Sequence, residues 1–328
     1  MPIAVTGSIA TDHLMTFEGK FADSLVVDQL DKISLSFLVE DLEVRRGGCG
    51  ANIAFGLAIL GQQPLLIGAV GEDFADYRSW LERHGVDCSG VRVSETRHTA
   101  RFVCTTDASH AQIATFYAGA MTESREIELA PIHERVGGWD LILIGPDDPE
   151  GMVRHTDECR ELGYRFAADP SQQLAWAGGD VVRKLVDGAT YLFSNEYEAA
   201  LIEKKTGWSA EETLARVGTR VVTKGPDGVE VHAAGTPTVD VPAIAGVEAV
   251  DPTGVGDSFR AGFLAAVEAG LGHERAAQIG CTLAASVVET KGTQEYRLDR
   301  DAFLERLGAA YGRIARDEVD SVLSIRGS

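Results

Sequence analysis

Short apolar segments alternate with longer stretches of helical apolar spacing along most of the chain. The short segments predict strands at Ile3–Gly7, Pro64–Val70, Leu141–Ile144, Arg165–Ala168, Thr190–Phe193, Arg220–Thr223 and Val229–Ala233. The longer stretches predict helices at Ala51–Leu60, Asp73–Arg83, Gly151–Leu162, Asp180–Asp187, Glu196–Thr206, Ala210–Arg216, Gly256–Ala269, His273–Thr290 and Asp301–Arg316. Because such alternation is typical of parallel sheets covered by helices, we expect a doubly wound, mainly parallel α/β fold. Ligands of such folds bind beyond the carboxyl ends of the strands.

Two insertions interrupt this alternation. The first follows the first strand and contains two predicted short strands, Ile33–Val39 and Leu42–Arg46. In the second, Ala100–Thr105 and Gln112–Tyr117 flank a polar turn, which is typical of a β-hairpin. We expect the insertions to pair as a small β-sheet lid; two edge hairpins without a lid function are the alternative. The predicted lid comprises residues 13–45 and 97–120, and the large domain residues 1–12, 46–96 and 121–328.

Length and charge restrict the classes of function. The 328 residues are 45% hydrophobic, which excludes a mostly disordered chain and allows a sizeable core. The net charge of −20 argues against nucleic acid or an anionic membrane surface as a partner, since both need a basic face. Anionic nucleotides remain possible ligands because backbone N–H groups at a helix start bind phosphate.

The cysteines and the N-terminal segment bear on the compartment. Five cysteines without C-x-x-C spacing argue against a disulfide framework and a Cys-rich zinc site. The segment MPIAVTGSIATDHL has no basic region and no long apolar run, so we expect no signal peptide. No run approaches the roughly 18 apolar residues of a membrane helix. These observations predict a cytoplasmic protein.

The segment Asp251–Gly262, DPTGVGDSFRAG, is the most informative motif of the chain. A helix follows at once, so Gly254, Val255 and Gly256 lie at a helix N-terminus, where unpaired N–H groups hold anions. Asp257 enters the first turn, where its carboxylate could accept a proton from an attacking hydroxyl. A glycine-rich turn with an ordinary cap is the structural alternative.

Two further polar segments follow predicted strands or precede predicted helices. Arg46–Asn52, RGGCGAN, brings small residues to a helix start, and the Asn52 amide both donates and accepts hydrogen bonds. Gly7–Asp12, GSIATD, places Ser8 and Asp12 at the end of the first strand. Each segment alone is also compatible with ordinary turn chemistry. Together they indicate a site at one edge of the sheet.

These motifs resemble the signatures of the PfkB, or ribokinase-like, carbohydrate kinases. The first signature matches Gly47–Ala54 with Gly61 and Gly71, and the second matches Asp251–Leu264, with Val255 where the family usually has Ala or Gly. Asn195–Glu198 is similar to the family's N-x-x-E motif, and Thr223–Gly228 to its nucleotide-binding strand end. The resemblance covers nearly the whole chain and implies a ribokinase-like fold.

The resemblance implies transfer of the γ-phosphate of Mg·ATP to a primary hydroxyl. Asp257 would be the base, and the amides of Gly254–Gly256 would stabilise the transferred phosphoryl group. Asp12 and Asn52 would hold the sugar hydroxyls, and Gly48 would allow close approach. The remaining implied contacts are Asn195 and Glu198 to magnesium and phosphates through water, and Thr223, Gly225 and Gly228 to the nucleotide. Family members are activated by monovalent cations, which makes K⁺ near Asp251 a further candidate.

The sequence gives less direct evidence on the molecule that accepts the phosphoryl group. The chain resembles most the actinobacterial type of adenosine kinase, through GSIATDHLM, SLSFLV around Ser36, HTARF, QIATFYAGAM and FAADPSQQL. Phe102 and Phe116 lie on the two predicted lid strands, where an aromatic pair could sandwich a purine; packing within the lid is the alternative. Gln172 and Gln173 could bind a purine edge through their amides. The expected partners are therefore adenosine and ATP.

Three alternatives remain at this point. A ribokinase or another PfkB sugar kinase would use the same residues on ribose or fructose. A dinucleotide-dependent oxidoreductase is disfavoured because the first strand leads into GSIATD rather than G-x-G-x-x-G. A non-catalytic nucleoside-binding protein would not need Asp257. Exposed lid edges also predict a homodimer formed through the lid.

Overall fold

A computed structural model describes residues 2–25, 27–32 and 34–325, apart from the side chains of residues 27, 29 and 30. Two sheets organise these residues. Their strands are β1 (Ile3–Thr6), β2 (Ala10–Phe17), β3 (Asp41–Gly47), β4 (Leu65–Gly71), β5 (Asp87–Ser94), β6 (Ala100–Asp107), β7 (Gln112–Tyr117), β8 (Leu141–Ile144), β9 (Phe166–Ala168), β10 (Tyr191–Asn195), β11 (Thr219–Thr223), β12 (Val229–Ala233) and β13 (Val239–Val241). The larger sheet has the order β13-β12-β11-β10-β9-β8-β1-β4-β5 and is parallel from β11 to β5, with antiparallel β12 and β13 at one edge.

Helices cover the larger sheet, except the first and shortest, whose Phe21 packs against Phe17 of β2. They are α1 (Phe21–Ser24), α2 (Cys49–Ile59), α3 (Ala75–Arg83), α4 (Leu129–Val136), α5 (Pro149–Leu162), α6 (Gly179–Val186), α7 (Glu196–Thr206), α8 (Ala210–Leu214), α9 (Val255–Glu268), α10 (His273–Val288), α11 (Arg300–Tyr311) and α12 (Arg313–Val322). The doubly wound α/β fold is confirmed. Among the described residues, no helix is long and apolar enough to cross a bilayer.

Alternate residues of the central strands enter two separate cores. Ile3 and Val5 of β1 pack with α2, α9 and α10, whereas Ala4 packs on the opposite face with the α5 and α6 side. This two-sided burial follows from the period-2 direction of strand side chains. It explains why these strands appear in the sequence as continuous apolar runs.

The second sheet is the lid, with the order β3-β2-β6-β7. β2 pairs antiparallel with β3 and parallel with β6, and β6 and β7 form the expected hairpin. The lid sheet begins at Ala10, so the predicted boundary after residue 12 falls inside β2. The division into domains stays a prediction.

The lid corrects one strand prediction. Of Ile33–Val39, residue 33 lies outside the described residues and 34–39 form no strand, whereas Leu42–Arg46 is confirmed within β3. Phe37 packs instead against Phe17 and Phe21, with ring centroids 4.9 Å from each. Phe37 therefore joins a local aromatic cluster, and the segment does not extend the sheet.

The predicted helix Asp301–Arg316 is also wrong as one element. It divides into α11 and α12 at Gly312, whose φ is 94° and which ends the first helix. The helical apolar spacing continues across this break, so the sequence did not show where the first helix ends.

Helices α9 and α10 meet backbone to backbone. A Cβ at Gly262 would lie 2.7 Å from the Gly280 Cα, and a Cβ at Gly280 would lie 2.7 Å from the Phe259 ring. Only glycine fits this crossing. The start of α9 is thus held against a second buried helix.

Candidate active site

A cavity of about 1230 Å³ lies between the lid and the carboxyl ends of the parallel strands. Ser8 follows β1, Pro146 follows β8, and Ser171 follows β9 within its lining. The start of α9 and the lid residues Asp12 and Phe116 complete the wall. The site therefore occupies the place where open α/β sheets bind ligands.

The start of α9 presents unpaired amides to this cavity. Its first intrahelical bond runs from the Ser258 amide to the Gly254 carbonyl at 2.9 Å, and the Gly256 and Asp257 amides have no partner among the described residues. Gly254 has φ 76°, and a Cβ there would meet the Thr293 side chain at 2.9 Å. A glycine is needed at this position to aim the helix start into the cavity.

Asp257 lies in the same first turn and faces the cavity. Its Oδ2 accepts a hydrogen bond of 2.9 Å from Asn52 Nδ2. Burial raises the pKa of Asp257 above its ordinary value, and the Asn52 amide opposes that rise. Such a carboxylate, beside free amides, can accept a proton from a bound hydroxyl.

A chain of side-chain hydrogen bonds fixes Asn52. Its Oδ1 accepts from Thr293 Oγ1 and from Gln294 Nε2, both at 2.9 Å. Gln294 Nε2 also donates to the Tyr77 hydroxyl, which donates to the Gly47 carbonyl at 3.0 Å. Because the Tyr77 hydroxyl donates its proton to a carbonyl, it accepts from the Gln294 nitrogen. That nitrogen therefore faces Asn52 Oδ1, and the NH₂ group of Asn52 points to Asp257. The network orients the amide and, through it, the carboxylate.

Asp12 approaches the cavity from β2. Burial raises its pKa from 3.8 to about 6, although the nearby Arg45 guanidinium lowers it. The same Arg45 donates to Asp251 at 3.3 Å and to both carboxylate oxygens of Glu43 at 2.8 Å. Arg45 therefore connects lid strand β3 to the segment that precedes α9.

Gly48 allows the chain to pass close to Ser8. It has φ 94°, and a Cβ would lie 2.4 Å from the Ser8 carbonyl oxygen. The Ser8 hydroxyl accepts from the Cys49 amide at 3.0 Å. This contact holds the start of α2 against the end of β1.

The far end of the cavity is mostly apolar. Thr223, Gly225 and Gly228 line it where β11 ends. The remaining wall consists of Ala243, Ile244, Ala245, Gly246, Val247, Ala249, Cys281, Ala284, Ala285 and Val288. This end offers a slot for a flat apolar group, reached past the amides of α9.

Asn195 and Glu198 form a capping box at the start of α7. Asn195 Oδ1 accepts from the Glu198 amide and Glu198 Oε2 from the Asn195 amide, both at 2.8 Å. Glu198 Oε1 contacts only the Ser171 hydroxyl, at 3.4 Å, among the described residues. That oxygen fits the expected indirect role, because it can accept from a magnesium-bound water while Oε2 holds the helix.

The structure brings most of the other predicted residues into the lining. Gln172 and Gln173 line the cavity, and Gln173 Nε2 donates to the Asp147 carbonyl at 2.9 Å. Phe102 and Phe116 are direct cross-strand neighbours on the same lid face, but only Phe116 lines the cavity. Neighbouring rings on one face form one wall and not the two sides of a sandwich. Ser36 is exposed in the irregular segment before β3 and does not line the cavity.

Several residues of the site were assigned no role from the sequence, although most of them lie within the quoted motifs. Cys49, Met121 and Trp176 line the cavity. Arg260 and Asp169 form a buried ion pair beside it, with Arg260 Nη2 2.7 Å from Asp169 Oδ1. Trp176 was detectable only as an unexplained tryptophan three residues after Gln173.

Comparison with known proteins gives the family. Residues 20–300 match the family described as pfkB family carbohydrate kinase. The chain is similar to a Burkholderia thailandensis nucleoside kinase, with a TM-score of 0.85 to the ligand-free form (35% identity; 93% of this chain, 99% of that chain). The TM-score to the same kinase in complex with inosine is 0.81 (34% identity; 95% and 98%).

Two curated relatives also match most of the chain. The nucleoside kinase of Methanocaldococcus jannaschii is 28% identical over 93% of this chain and 96% of its own length. The Bacillus subtilis ribokinase is 26% identical over 89% and 94%. The cavity, the amides at the start of α9 and these matches agree: the chain belongs to the pfkB family of carbohydrate kinases.

Proposed function

We propose that this kinase transfers the γ-phosphoryl group of ATP to the 5′-hydroxyl of adenosine, giving AMP and ADP. One observation carries the proposal: Asp257, the free amides of α9, and Asp12 with Asn52 share a single cavity. That cavity is large enough for two substrates end to end. We call the part around Asp12, Asn52 and Phe116 the acceptor end, and the apolar slot beyond Thr223 the donor end.

The site groups support in-line transfer. Asp257 takes the proton of the 5′-hydroxyl as its oxygen bonds to the γ-phosphorus and the bond to the ADP oxygen breaks. The amides of Gly256 and Asp257 stabilise the charge on the transferred group. Mg²⁺, held through water by Glu198 Oε1, would neutralise phosphate charge when bound.

Two observations favour a nucleoside over a free sugar. The lid presents Phe116, 54% exposed, to the acceptor end, where its flat ring suits stacking on a nucleobase. The Burkholderia thailandensis relative is described in complex with inosine. Both support a base-bearing acceptor.

The Gln173 amide favours adenine. Its Nε2 donates one proton to the Asp147 carbonyl, and its Oε1 accepts no hydrogen bond from the described residues. The exocyclic amine of adenine donates, whereas the 6-oxo group of inosine accepts. This pairing supports adenosine as the preferred acceptor.

The proposal is tested by comparing kcat/KM for adenosine, inosine, ribose and fructose with Mg·ATP. We expect adenosine to be the best acceptor, and Gln173→Leu to reduce its advantage over inosine, whereas Gln173→Glu keeps an acceptor oxygen. Ribose or fructose used better than every nucleoside would establish the sugar-kinase alternative. No phosphorylation of any of the four would contradict both.

We further propose that two copies associate through the lid. The strand register places Leu42, Val44, Ile113 and Tyr117 on the face opposite Asp12 and Phe116, and these four side chains are 46–57% exposed. A second copy offers the same apolar face, which suits a two-fold contact. Ile113→Asp should convert a dimer to a monomer in light scattering, whereas Ile314→Asp, on exposed α12, should not. A monomeric wild-type protein would contradict this association.

A further inference from the structure

Trp176 is an exposed tryptophan within the cavity lining. It is 84% exposed, whereas Trp139 is 5% exposed. Trp80 and Trp208 each pack under an arginine, with the guanidinium carbon 4.2 Å from the ring centroid. Among the described residues, no ring or guanidinium stacks on Trp176. Leaving so large an apolar surface in water is unfavourable unless a ligand covers it.

The backbone around Trp176 is held in place from both sides. Its amide donates to the Gln173 carbonyl at 3.1 Å. Lys205 Nζ of α7 donates to the carbonyl of Ala175 at 3.2 Å and to that of Ala177 at 2.7 Å. The indole therefore stands on a fixed segment of the large domain.

Its neighbours place Trp176 at the acceptor end. Gln172, four residues earlier, also lines the cavity, and its Nε2 lies 3.9 Å from Cys49 Sγ at the start of α2. Phe116, which also lines the cavity, belongs to lid strand β7. Phe116 thus comes from the lid sheet, whereas Trp176 comes from the loop after β9.

We infer that Trp176 is a specificity-determining residue that contacts the nucleobase of the acceptor, on the side of the base away from Phe116. This inference rests on the proposed nucleoside-kinase function. Phe116 supplies the aromatic wall on the lid side, so an aromatic wall on the other face of the base comes from outside the lid. Trp176 fills that need.

The expected effect is selective. Trp176→Leu, which removes the aromatic ring, should raise KM for adenosine about 5- to 150-fold, the usual worth of stacking on one base. The KM values for ribose and ATP should stay unchanged, and kcat should change little, because Trp176 does not contact the reacting atoms. A conservative Trp176→Phe change should retain most adenosine affinity.

Tryptophan fluorescence gives a readout independent of turnover. Saturating the wild-type protein with adenosine, without ATP, should quench and blue-shift the emission of the exposed indole; ribose should not. Trp176→Phe should abolish that response, whereas the matched control Trp208→Phe, which removes a tryptophan packed under Arg216, should keep it.

Two results would overturn the inference while leaving the proposed function intact. One is an adenosine kinase whose Trp176→Leu variant has wild-type KM for adenosine. The other is wild-type emission that does not change at saturating adenosine, although adenosine is phosphorylated. A wild-type enzyme that phosphorylates ribose but no nucleoside would instead contradict the proposed function and, with it, this role of Trp176.

Discussion

At the acceptor end of the cavity, side chains from distant parts of the chain hold one another by hydrogen bonds, whereas the donor end is built from backbone and small apolar side chains. Asp257, Asn52, Gln294 and Tyr77 form one continuous polar chain. The donor slot is bounded by short segments such as Ala243–Val247. Polar side chains discriminate strongly because a wrong ligand leaves them unpaired, whereas apolar walls tolerate isosteres. Substitutions at the acceptor end should therefore have the larger effects.

The largest effect is expected from Asp257→Asn, which keeps shape but removes the base. It should lower kcat about 10²–10⁴-fold, the usual worth of general base catalysis, with little change in adenosine binding by calorimetry. Asp180→Asn, a 94% exposed carboxylate on α6, is the control. More than a tenth of wild-type kcat in the Asp257 variant would contradict its role.

Asp12→Ala should follow, with a KM for adenosine about 10- to 150-fold higher, because a charged hydrogen-bond acceptor is lost. Its pKa of about 6 adds a pH signature: adenosine affinity should weaken as pH falls through 6. Folding raises this pKa from 3.8, so the folded state binds the proton more tightly. The contribution of Asp12 to the free energy of unfolding therefore falls as pH rises from 3.8 to about 6.

Both trends are measurable on one pair of proteins. Relative to wild type, Asp12→Asn should flatten the pH dependence of adenosine affinity and that of denaturant-induced unfolding in this window. Identical profiles for the two proteins would show that Asp12 does not titrate there.

Phe116→Leu tests the lid side of the acceptor end. It keeps apolar bulk but loses the flat ring, so adenosine affinity should fall, at most by the 5- to 150-fold expected for a lost stack. Calorimetric unfolding of the variant distinguishes this loss from a damaged lid. Wild-type affinity would show that Phe116 only packs.

Glu198→Gln should have a smaller effect, located at the donor end. Glutamine preserves the capping box, so the thermal midpoint should stay unchanged. The half-saturating Mg²⁺ concentration should rise up to about tenfold, because a charge-assisted contact becomes a neutral one. Chelation of divalent metal should abolish turnover of both proteins. An unchanged magnesium titration would leave Glu198 with its capping role alone.

The smallest effect is expected from exchanging the phosphate donor. Since the walls of the donor slot are apolar, GTP in place of ATP should change kcat/KM by less than about tenfold. A much larger preference for ATP would show that the donor base is bound by hydrogen bonds, and the contrast between the two ends would disappear.

The sequence predicted those parts of the fold where local pattern and burial agree. β8 and β12 were predicted at their observed bounds, because β8 is a short apolar run and β12 alternates apolar and polar residues. β5, DCSGVRVS, was missed because it is an edge strand with polar outward positions, and α4 because its eight residues contain a proline. Edge elements depend on neighbours that local pattern does not include.

The same limit applies to the site. Asp257 and Asn52 lie in glycine-rich segments, and both face the cavity or its network. Gln294 and Tyr77 are 217 positions apart along the chain and meet only through the fold. Nothing local to either residue signals that it orients Asn52. Likewise, the sequence did not show the register of β6 and β7, which places Phe102 and Phe116 side by side on one face of the lid.

The contact between Gly262 and Gly280 has a consequence for motion. Two backbones in contact leave no room for α9 to slide or tilt, so its amides keep their place throughout a turnover. These amides are therefore ordered when the chain folds, and binding an anion requires no further ordering of them. The lid, with its exposed strands and smaller core, is the part of the molecule that can open locally. Amides of α9 should exchange hydrogen at the slow rate of global unfolding, while those of β7 exchange by local opening.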